Sequence, residues 1–533
     1  MPLLSLPGEI LDQILAQVKC AAPSFISDPS ALDTLQFYEY LTQNTAEIQN
    51  VRLTCRQLAS RGISLLLPVP SVSISNPASI DRFEDISGHE VLARNVRAVR
   101  VRFDYYEANF ISEIRAFALL LVEVWDHSAP SRDTEKGAIL SAKIYEDWLN
   151  LAEVEEGDVK NLVGDGRESM QLLSRLHTEY KRRYEMQQRL WPTVLARIAA
   201  AMARMPHATR LVIDDGHNLP LTAPTAVPSP IVPPECLIVP YTWAAAFKAG
   251  YGSPPVDMVF SLPAALRKEG VVLTALRIHR LFLPDDFPLW STPEHENGEE
   301  LGSPLEAALL HTACDSLRVF EYTPGWVSGD DDNDEWPNDH GWLFVRDLDD
   351  VFAWILKASE HITHVSFDLN LKYGDYADKI VMMAKHWPSL RVVHLYNGQL
   401  SLRAIPQFLA AVACTLTQLR LEGVTVAPVC VHGYPYNQET YSWAKVVDLL
   451  RACHLDFGCK LRVQIRRPAG AEFSDRIAGT SWLSKEEQEH LRSLFDPVEG
   501  TSSAVEDYIH GLREVNPVVK LGEPSRPCLL CPP

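Results

Sequence analysis

Apolar residues near the start of the chain recur with the spacing of a helix. Residues 3–18 read LLSLPGEILDQILAQV, and the branched residues after Ile10 follow it at offsets of one, four, five and eight. This spacing predicts a helix with one apolar stripe, which begins near Pro7 and carries Glu9 in its first turn. A helix of this length rarely persists alone in water, so we expect its stripe to dock on another surface.

Eight later segments alternate apolar and polar residues, which is typical of half-buried strands. Amphipathic helical stretches separate several of them, and residues 138–205 read as mostly helical, with a break at Trp191 and Pro192. Three successive segments start 28 and 26 residues apart, within the range of about 20–29 residues that leucine-rich repeats show. The eight segments start at Val96, Ala208, Leu273, Leu317, Ile362, Leu390, Leu416 and Leu461.

A second amphipathic stretch occupies residues 51–67, which read VRLTCRQLASRGISLLL. Val51, Cys55 and Leu58 share one face of the helix that this pattern predicts. The LPxEIL opening of the chain, followed by a helix of the form VRLxCRxLA, resembles the F-box of fungal-type proteins. Two features depart from that family, because residues 19–49 form a longer join than usual and no tryptophan closes the motif.

The resemblance implies that this region binds the small adaptor subunit of an SCF-type cullin–RING ubiquitin ligase, and through it the cullin. The residues that it assigns to the contact are the apolar positions of the two stretches. These are Leu6, Pro7, Ile10, Leu11, Ile14, Leu15, Val51, Leu53, Cys55 and Leu58. The sequence leaves open which of them face the partner and which pack inward, since both uses need apolar side chains.

The patterns together predict an α/β chain in three parts. Residues 1–67 are expected to form an F-box-like helical module with an insertion, and residues 68–522 an irregular leucine-rich-repeat-like solenoid with long loops. Residues 523–533 contain four prolines and are expected to form a flexible tail. The alternative to the solenoid is an irregular α/β domain, in which the alternation of strands and helices makes a conventional parallel sheet.

Composition narrows the classes of function. The chain has 533 residues, of which 46% are hydrophobic, and its net charge of −20 disfavours general binding of nucleic acid. No uncharged apolar stretch reaches the roughly 18 residues that a membrane span needs, so we expect no membrane contact. The ten cysteines are scattered, which favours a reducing compartment, the cytoplasm and/or the nucleus.

Each kind of metal or catalytic site requires its own residue types at a fixed spacing, and the sequence matches none of those considered in full. The acidic run at residues 330–335 fails as an EF-hand, because Glu335 and Gly341 stand where that loop needs Gly and Glu. Cys528 and Cys531 form a single CxxC pair, whereas a structural zinc needs four ligands. The sequence contains no G-x-S-x-G, P-loop or H-E-x-x-H motif. We therefore expect no enzymatic activity, no metal site and no cofactor.

The function that follows is that of a substrate-recognition adaptor. The F-box-like region would bind the small subunit of the ligase, and the repeat domain would bind a target protein that the sequence does not identify. The ligase would supply the chemistry and this chain the proximity of its target. The alternative is a non-enzymatic leucine-rich-repeat interaction scaffold with no role in ubiquitin transfer.

Overall fold

The computed structural model describes more than half of the chain, and it divides the described residues into two compact units, one up to Val271 and one from Val272 onward. The described residues are 9–11, 13, 15, 48–62, 67–128, 142–153, 167–216, 238–241, 243, 255–279, 304–323, 355–368, 387–400, 404–412, 415–426, 443–456, 461–470, 473, 485–496 and 502–518.

The first unit combines helices with three parallel strands, which pair in the order β1-β2-β3. The strands are β1 (Ser71–Ser73), β2 (Ala98–Arg102) and β3 (Arg210–Asp214). Its named helices are α1 (Arg56–Gly62), α2 (Pro77–Gly88), α3 (Glu90–Asn95), α4 (Asn109–Ser112), α5 (Ile114–Ser128), α6 (Ala142–Glu153), α7 (Arg167–Ala203) and α8 (Val256–Lys268).

The longest described helix, α7, runs through the position at which the sequence predicted a break. Pro192 lies inside this 37-residue helix, although proline removes a backbone hydrogen bond and crowds the preceding turn. The apolar stripe continues on both sides of it, with Leu190 and Val194 both buried. Packing of that stripe against α2 and α8 outweighs the local preference of one proline.

The segment after β2 is fixed to α7 by buried polar contacts. The side chain of Gln187 accepts a hydrogen bond from the Tyr106 amide at 2.7 Å and donates one to the Tyr106 carbonyl at 3.0 Å. The hydroxyl of Tyr180 accepts a hydrogen bond from the Glu107 amide at 2.8 Å. Burial raises the pKa of Tyr180 well above its ordinary value, so the hydroxyl stays protonated. These contacts satisfy backbone groups in a segment that is neither helix nor strand.

The second unit is built on six parallel strands in the order β4-β5-β6-β7-β9-β11. Its strands are β4 (Ala275–His279), β5 (Val319–Thr323), β6 (His364–Asp368), β7 (Val392–Tyr396), β8 (Gln399–Leu400), β9 (Gln418–Glu422), β10 (Thr425–Val426), β11 (Arg462–Arg466) and β12 (Ala469–Gly470). Its named helices are α9 (Pro304–Ala313), α10 (Ala404–Val412), α11 (Trp443–Asp456), α12 (Lys485–Ser493) and α13 (Ala504–Ile509).

A tight corner follows each of the last three long strands and leads into a second, three-stranded parallel sheet ordered β12-β10-β8. Asn397, Gly423 and Arg467 occupy equivalent corners with φ of 51°, 63° and 45°. Asparagine and glycine tolerate this left-handed conformation best. A Cβ added at Gly423 would also lie 2.4 Å from Oδ1 of Asn397, so a larger residue there would displace the Asn397 side chain.

Buried branched residues align where the strands of the second unit begin. Each of them stands two residues before the first residue of its strand, and all are nearly inaccessible to water. They are Leu273, Leu317, Ile362, Leu390 and Leu416. Within the strands, alternate residues such as Phe320 and Val365 continue the apolar face, which is why the sequence alternation located these strands correctly.

The predicted fold class is wrong in its finer part. The described residues form an α/β arrangement of parallel strands with helices, which is the alternative considered above, and neither a leucine-rich-repeat solenoid nor an F-box helical module is evident in them. Connections of unequal length explain the error, since one contains the 37-residue α7 and no constant unit repeats. The domain boundaries after residues 67 and 522 stay predictions, and the tail 523–533 lies outside the described residues.

None of the helices in the described ranges combines the length and apolar character that crossing a lipid bilayer would require. The finding covers α7, the longest helix, because charged residues such as Arg182 and Arg183 interrupt its apolar positions.

Gln187→Leu should destabilise the protein by about 2–6 kcal/mol, because it leaves two buried backbone groups of Tyr106 unpaired at roughly 1–3 kcal/mol each. Urea denaturation measures the effect. Gln188→Leu is the matched control, since the same exchange at an exposed neighbour should change the free energy of unfolding by much less. Equal effects of the two variants would contradict the contact that we assign to Gln187.

Candidate functional site

The structure separates the predicted adaptor-binding residues into core and surface. Leu11, Leu15 and Leu58 form a small buried cluster, against which Val51 and Cys55 pack with part of their surface exposed. Leu6, Pro7 and Ile14 lie outside the described residues. Two predicted residues face water: Ile10 is 39% exposed and Leu53 is 85% exposed.

Local hydrogen bonds fix the break in the helix that follows Leu53 in this N-terminal cluster. Residues 48–54 are helical, Cys55 interrupts the helix, and its thiol accepts a hydrogen bond from the Leu58 amide at 3.4 Å to start α1. Nε of Arg52 crosses the interruption and donates to the Ala59 carbonyl at 3.0 Å. A Cβ at Gly62 would approach Cγ of Arg52 to 2.8 Å, so glycine at that position makes room for the Arg52 stem.

A second candidate lies on the polar face of the six-stranded sheet, and we call it the polar row. The register places six side chains opposite one another on neighbouring strands. Because side chains alternate between the faces of a strand, all six share the face opposite the apolar one. The polar row consists of Arg277, Glu321, Ser366, His394, Arg420 and Gln464.

Charges at the β4 end of the polar row are buried and paired. Nη2 of Arg277 lies 2.9 Å from Oε1 of Glu321, and the two side chains are 10% and 7% exposed. Nε2 of His364 lies 3.9 Å from the same carboxylate oxygen. A buried charge without its partner is strongly unfavourable, so Arg277 and Glu321 depend on each other.

Two histidine rings continue the polar face at the centre of the sheet. The rings of His364 and His394 meet edge to face, with centroids 5.0 Å apart. Burial lowers the pKa of His394 to about 3, and the neighbouring His364 and Arg420 act in the same direction. His394 is therefore neutral at physiological pH, and within the described residues its buried Nε2 has no hydrogen-bond partner.

The opposite end of the polar face is more accessible. Nη2 of Arg420 donates to Oε2 of Glu422 at 2.7 Å, and its guanidinium lies 5.5 Å from the ring centroid of Tyr396. Arg467, which is well exposed, donates to the other oxygen of Glu422 at 2.6 Å. This end offers fixed guanidinium and aromatic groups to solvent, the residue types that protein interfaces favour.

The first unit carries a comparable polar face on β2. Arg100 pairs with Asp214, and Nη2 of Arg102 lies 2.5 Å from Oδ2 of Asp104. The hydroxyl of Ser73 donates to Asp104 at 2.6 Å. Burial raises the pKa of Asp104, while Arg102 and Ser73 oppose that rise. The charges are paired with one another, which favours a structural role for this cluster.

These faces consist of paired charges and histidine rings. The part of the chain that the structure describes contains no group of three or more His, Cys, Asp or Glu residues that could hold a metal ion. The sequence analysis missed the polar row, because the polar positions of alternating strands ordinarily face solvent. The available signal was a charged or ionisable residue at the middle of β4, β5, β7 and β9. The acidic run 330–335 and the CxxC pair lie outside the described residues.

Arg277→Leu should destabilise the protein by about 3–5 kcal/mol, because it leaves the Glu321 carboxylate buried without its cation. The double variant Arg277→Leu/Glu321→Leu should cost less than the sum of the two single variants, as measured by urea denaturation. Arg94→Leu is a control, since it breaks an exposed pair with Glu90 and should have a small effect. Strict additivity in the double-mutant cycle would argue against the buried pair.

The lowered pKa of His394 predicts a loss of stability in acid. Between about pH 6.5, where an unfolded histidine titrates, and about pH 3, the unfolded state binds a proton that the folded state does not. The contribution is intact above that window, and it decreases by up to about 1.4 kcal/mol per pH unit as the pH falls. His394→Gln and His394→Phe should both show a shallower decline than the unmodified protein in unfolding titrations; identical slopes would refute this assignment.

Comparisons with known proteins add no relative to these observations. No protein-family model matches the chain, and no curated protein or solved structure matches it either. The function of the N-terminal cluster and the polar row therefore depends on their own residues, and on the LPxEIL motif to which Leu11 of the cluster belongs.

Proposed function

We propose that the protein is a substrate-recognition adaptor of an SCF-type cullin–RING ubiquitin ligase that acts in the cytoplasm and/or the nucleus. Its N-terminal cluster binds the small adaptor subunit of the ligase, and through it the cullin. Its second unit binds the target protein. The chain itself catalyses no reaction in this proposal, and the target is brought close to the ubiquitin that the ligase transfers.

The observation that carries the proposal is the exposure of Leu53. The residue belongs to the VRLxCRxLA stretch that resembles the F-box, and it is 85% exposed while its neighbours Val51 and Cys55 pack on the buried cluster. Ile10, in the LPxEIL stretch, is also exposed. A leucine that does nothing for the core of its own domain is well placed to anchor in a pocket of a partner.

The polar row supports recognition by the second unit. Its accessible end presents Arg420 on β9 beside Tyr396 on the neighbouring β7, with Arg467 at the corner after β11. Side chains on a rigid sheet lose little entropy on binding, which favours affinity. The proposal rests on the motif and on these exposed groups, and it requires no repeat architecture.

Leu53→Glu should reduce capture of the purified small adaptor subunit by the intact chain at least about tenfold, because it places a charge in an apolar contact. Leu512→Glu is the matched control, since Leu512 is 74% exposed in the second unit and lies outside the motif. Both variants should melt at the temperature of the unmodified protein, because both positions are exposed.

A ubiquitin-transfer assay with the assembled ligase then separates two roles. Transfer to a captured target supports the ligase adaptor, whereas adaptor binding without transfer supports an interaction scaffold. The proposal is contradicted if the unmodified chain does not bind the adaptor subunit, or if Leu53→Glu binds it as well as the unmodified chain does.

A further inference from the structure

Two exposed arginines occupy equivalent positions in the second unit, directly before strands β5 and β7. Arg318 and Arg391 are both exposed, and neither guanidinium pairs with a carboxylate anywhere in the described part of the chain. The sheet order places β6 between these strands, so the two residues stand two strands apart. Neighbouring strands are about 4.8 Å apart, which puts the two backbones about 10 Å from each other.

The same set of hydrogen bonds fixes both positions. The carbonyl of Arg318 accepts from the amides of Thr363 and His364 at 2.8 and 3.0 Å, and from the Thr363 hydroxyl at 3.1 Å. The carbonyl of Arg391 accepts from the amides of Thr417 and Gln418 at 2.8 and 3.0 Å, and from the Thr417 hydroxyl at 3.0 Å. Each arginine therefore projects from a fixed backbone position, and the sheet sets the spacing between the two backbones.

We infer that Arg318 and Arg391 form a binding site for an acidic peptide segment with carboxylates at every third residue. Charge complementarity supplies the attraction, because a guanidinium binds a carboxylate through two parallel hydrogen bonds. The distance between the two arginine backbones determines which residues of the peptide can carry the carboxylates. A polyproline II segment has three residues per turn and a rise of about 3.1 Å, so its positions i and i+3 lie on one side about 9 Å apart.

Other anionic partners fit less well. The net charge of −20 repels a long polyanion such as RNA at a distance, so a short acidic segment is favoured over a nucleic acid. An extended β-strand would place its positions i and i+3 on opposite sides. The inference goes beyond the adaptor role and does not depend on it, because the binding is measured on this chain alone.

The test uses the full chain and a fluorescent peptide of four Glu-Pro-Pro repeats, with binding followed by anisotropy at low salt. The double variant Arg318→Gln/Arg391→Gln should bind at least about tenfold more weakly than the unmodified chain. Arg94→Gln/Arg189→Gln is the matched control, since it removes two exposed arginines from helices of the first unit and makes the same change in net charge. Its affinity should stay within about twofold.

Two further probes define the ligand. A Glu-Pro-Pro-Pro peptide of equal charge turns its glutamates to different sides and should bind more weakly, and salt of about 0.5 M should weaken the complex by screening. Equal affinity of the two double variants, equal affinity of the two peptides, or tighter binding of a single-stranded RNA oligonucleotide would each overturn the inference. Unchanged melting temperatures show that the variants remain folded.

Discussion

The register of the parallel strands is the constraint on which the second unit depends. Side chains alternate between the two faces of a strand, so a slip of one residue would exchange the apolar and polar faces. Such a slip would turn Arg277 and Glu321 towards the apolar face and place Phe320 among the charges of the polar row. The buried ladder that includes Leu317 and Ile362 resists it, because every member would leave its place at once. The backbone carbonyls of Arg318 and Arg391, directly before their strands, fix the same register by accepting hydrogen bonds from the neighbouring strand.

The polar row is possible only because its charges are paired within that register. Glu321 lies opposite Arg277 and near His364, and Arg420 lies between the ring of Tyr396 and the carboxylate of Glu422. Within the described residues His394 is not part of an ion pair, and it stays neutral, since burial lowers its pKa to about 3. The face thus changes from buried at β4 to more accessible at β9.

The sequence predicted the strands well, because alternation is a local property. A strand forms within a few residues of each of the eight predicted starts, including Ala208 in the first unit and Leu461 in the second. The architecture was harder to predict from the sequence, since a half-buried parallel strand has the same apolar–polar alternation in a repeat and in an irregular sheet. Pro192 shows the same limit in a helix, because packing along α7 outweighed a local signal. The polar row could not be predicted from the sequence, because its members become neighbours only through the strand register, which connects residues far apart in the chain.

The N-terminal cluster shows why candidate contact residues could be named from sequence but not sorted. Leu11, Leu53 and Leu58 are the same residue type in the two stretches that resemble the F-box, and an apolar side chain suits a core and a contact surface alike. Only tertiary packing distinguishes them, and it buries Leu11 and Leu58 while Cys55 interrupts the helix and leaves Leu53 in water. A single exposed leucine is ordinary on a protein surface. Its meaning here comes from its place beside a buried cluster of the same motif, since the core fixes the helix that presents it.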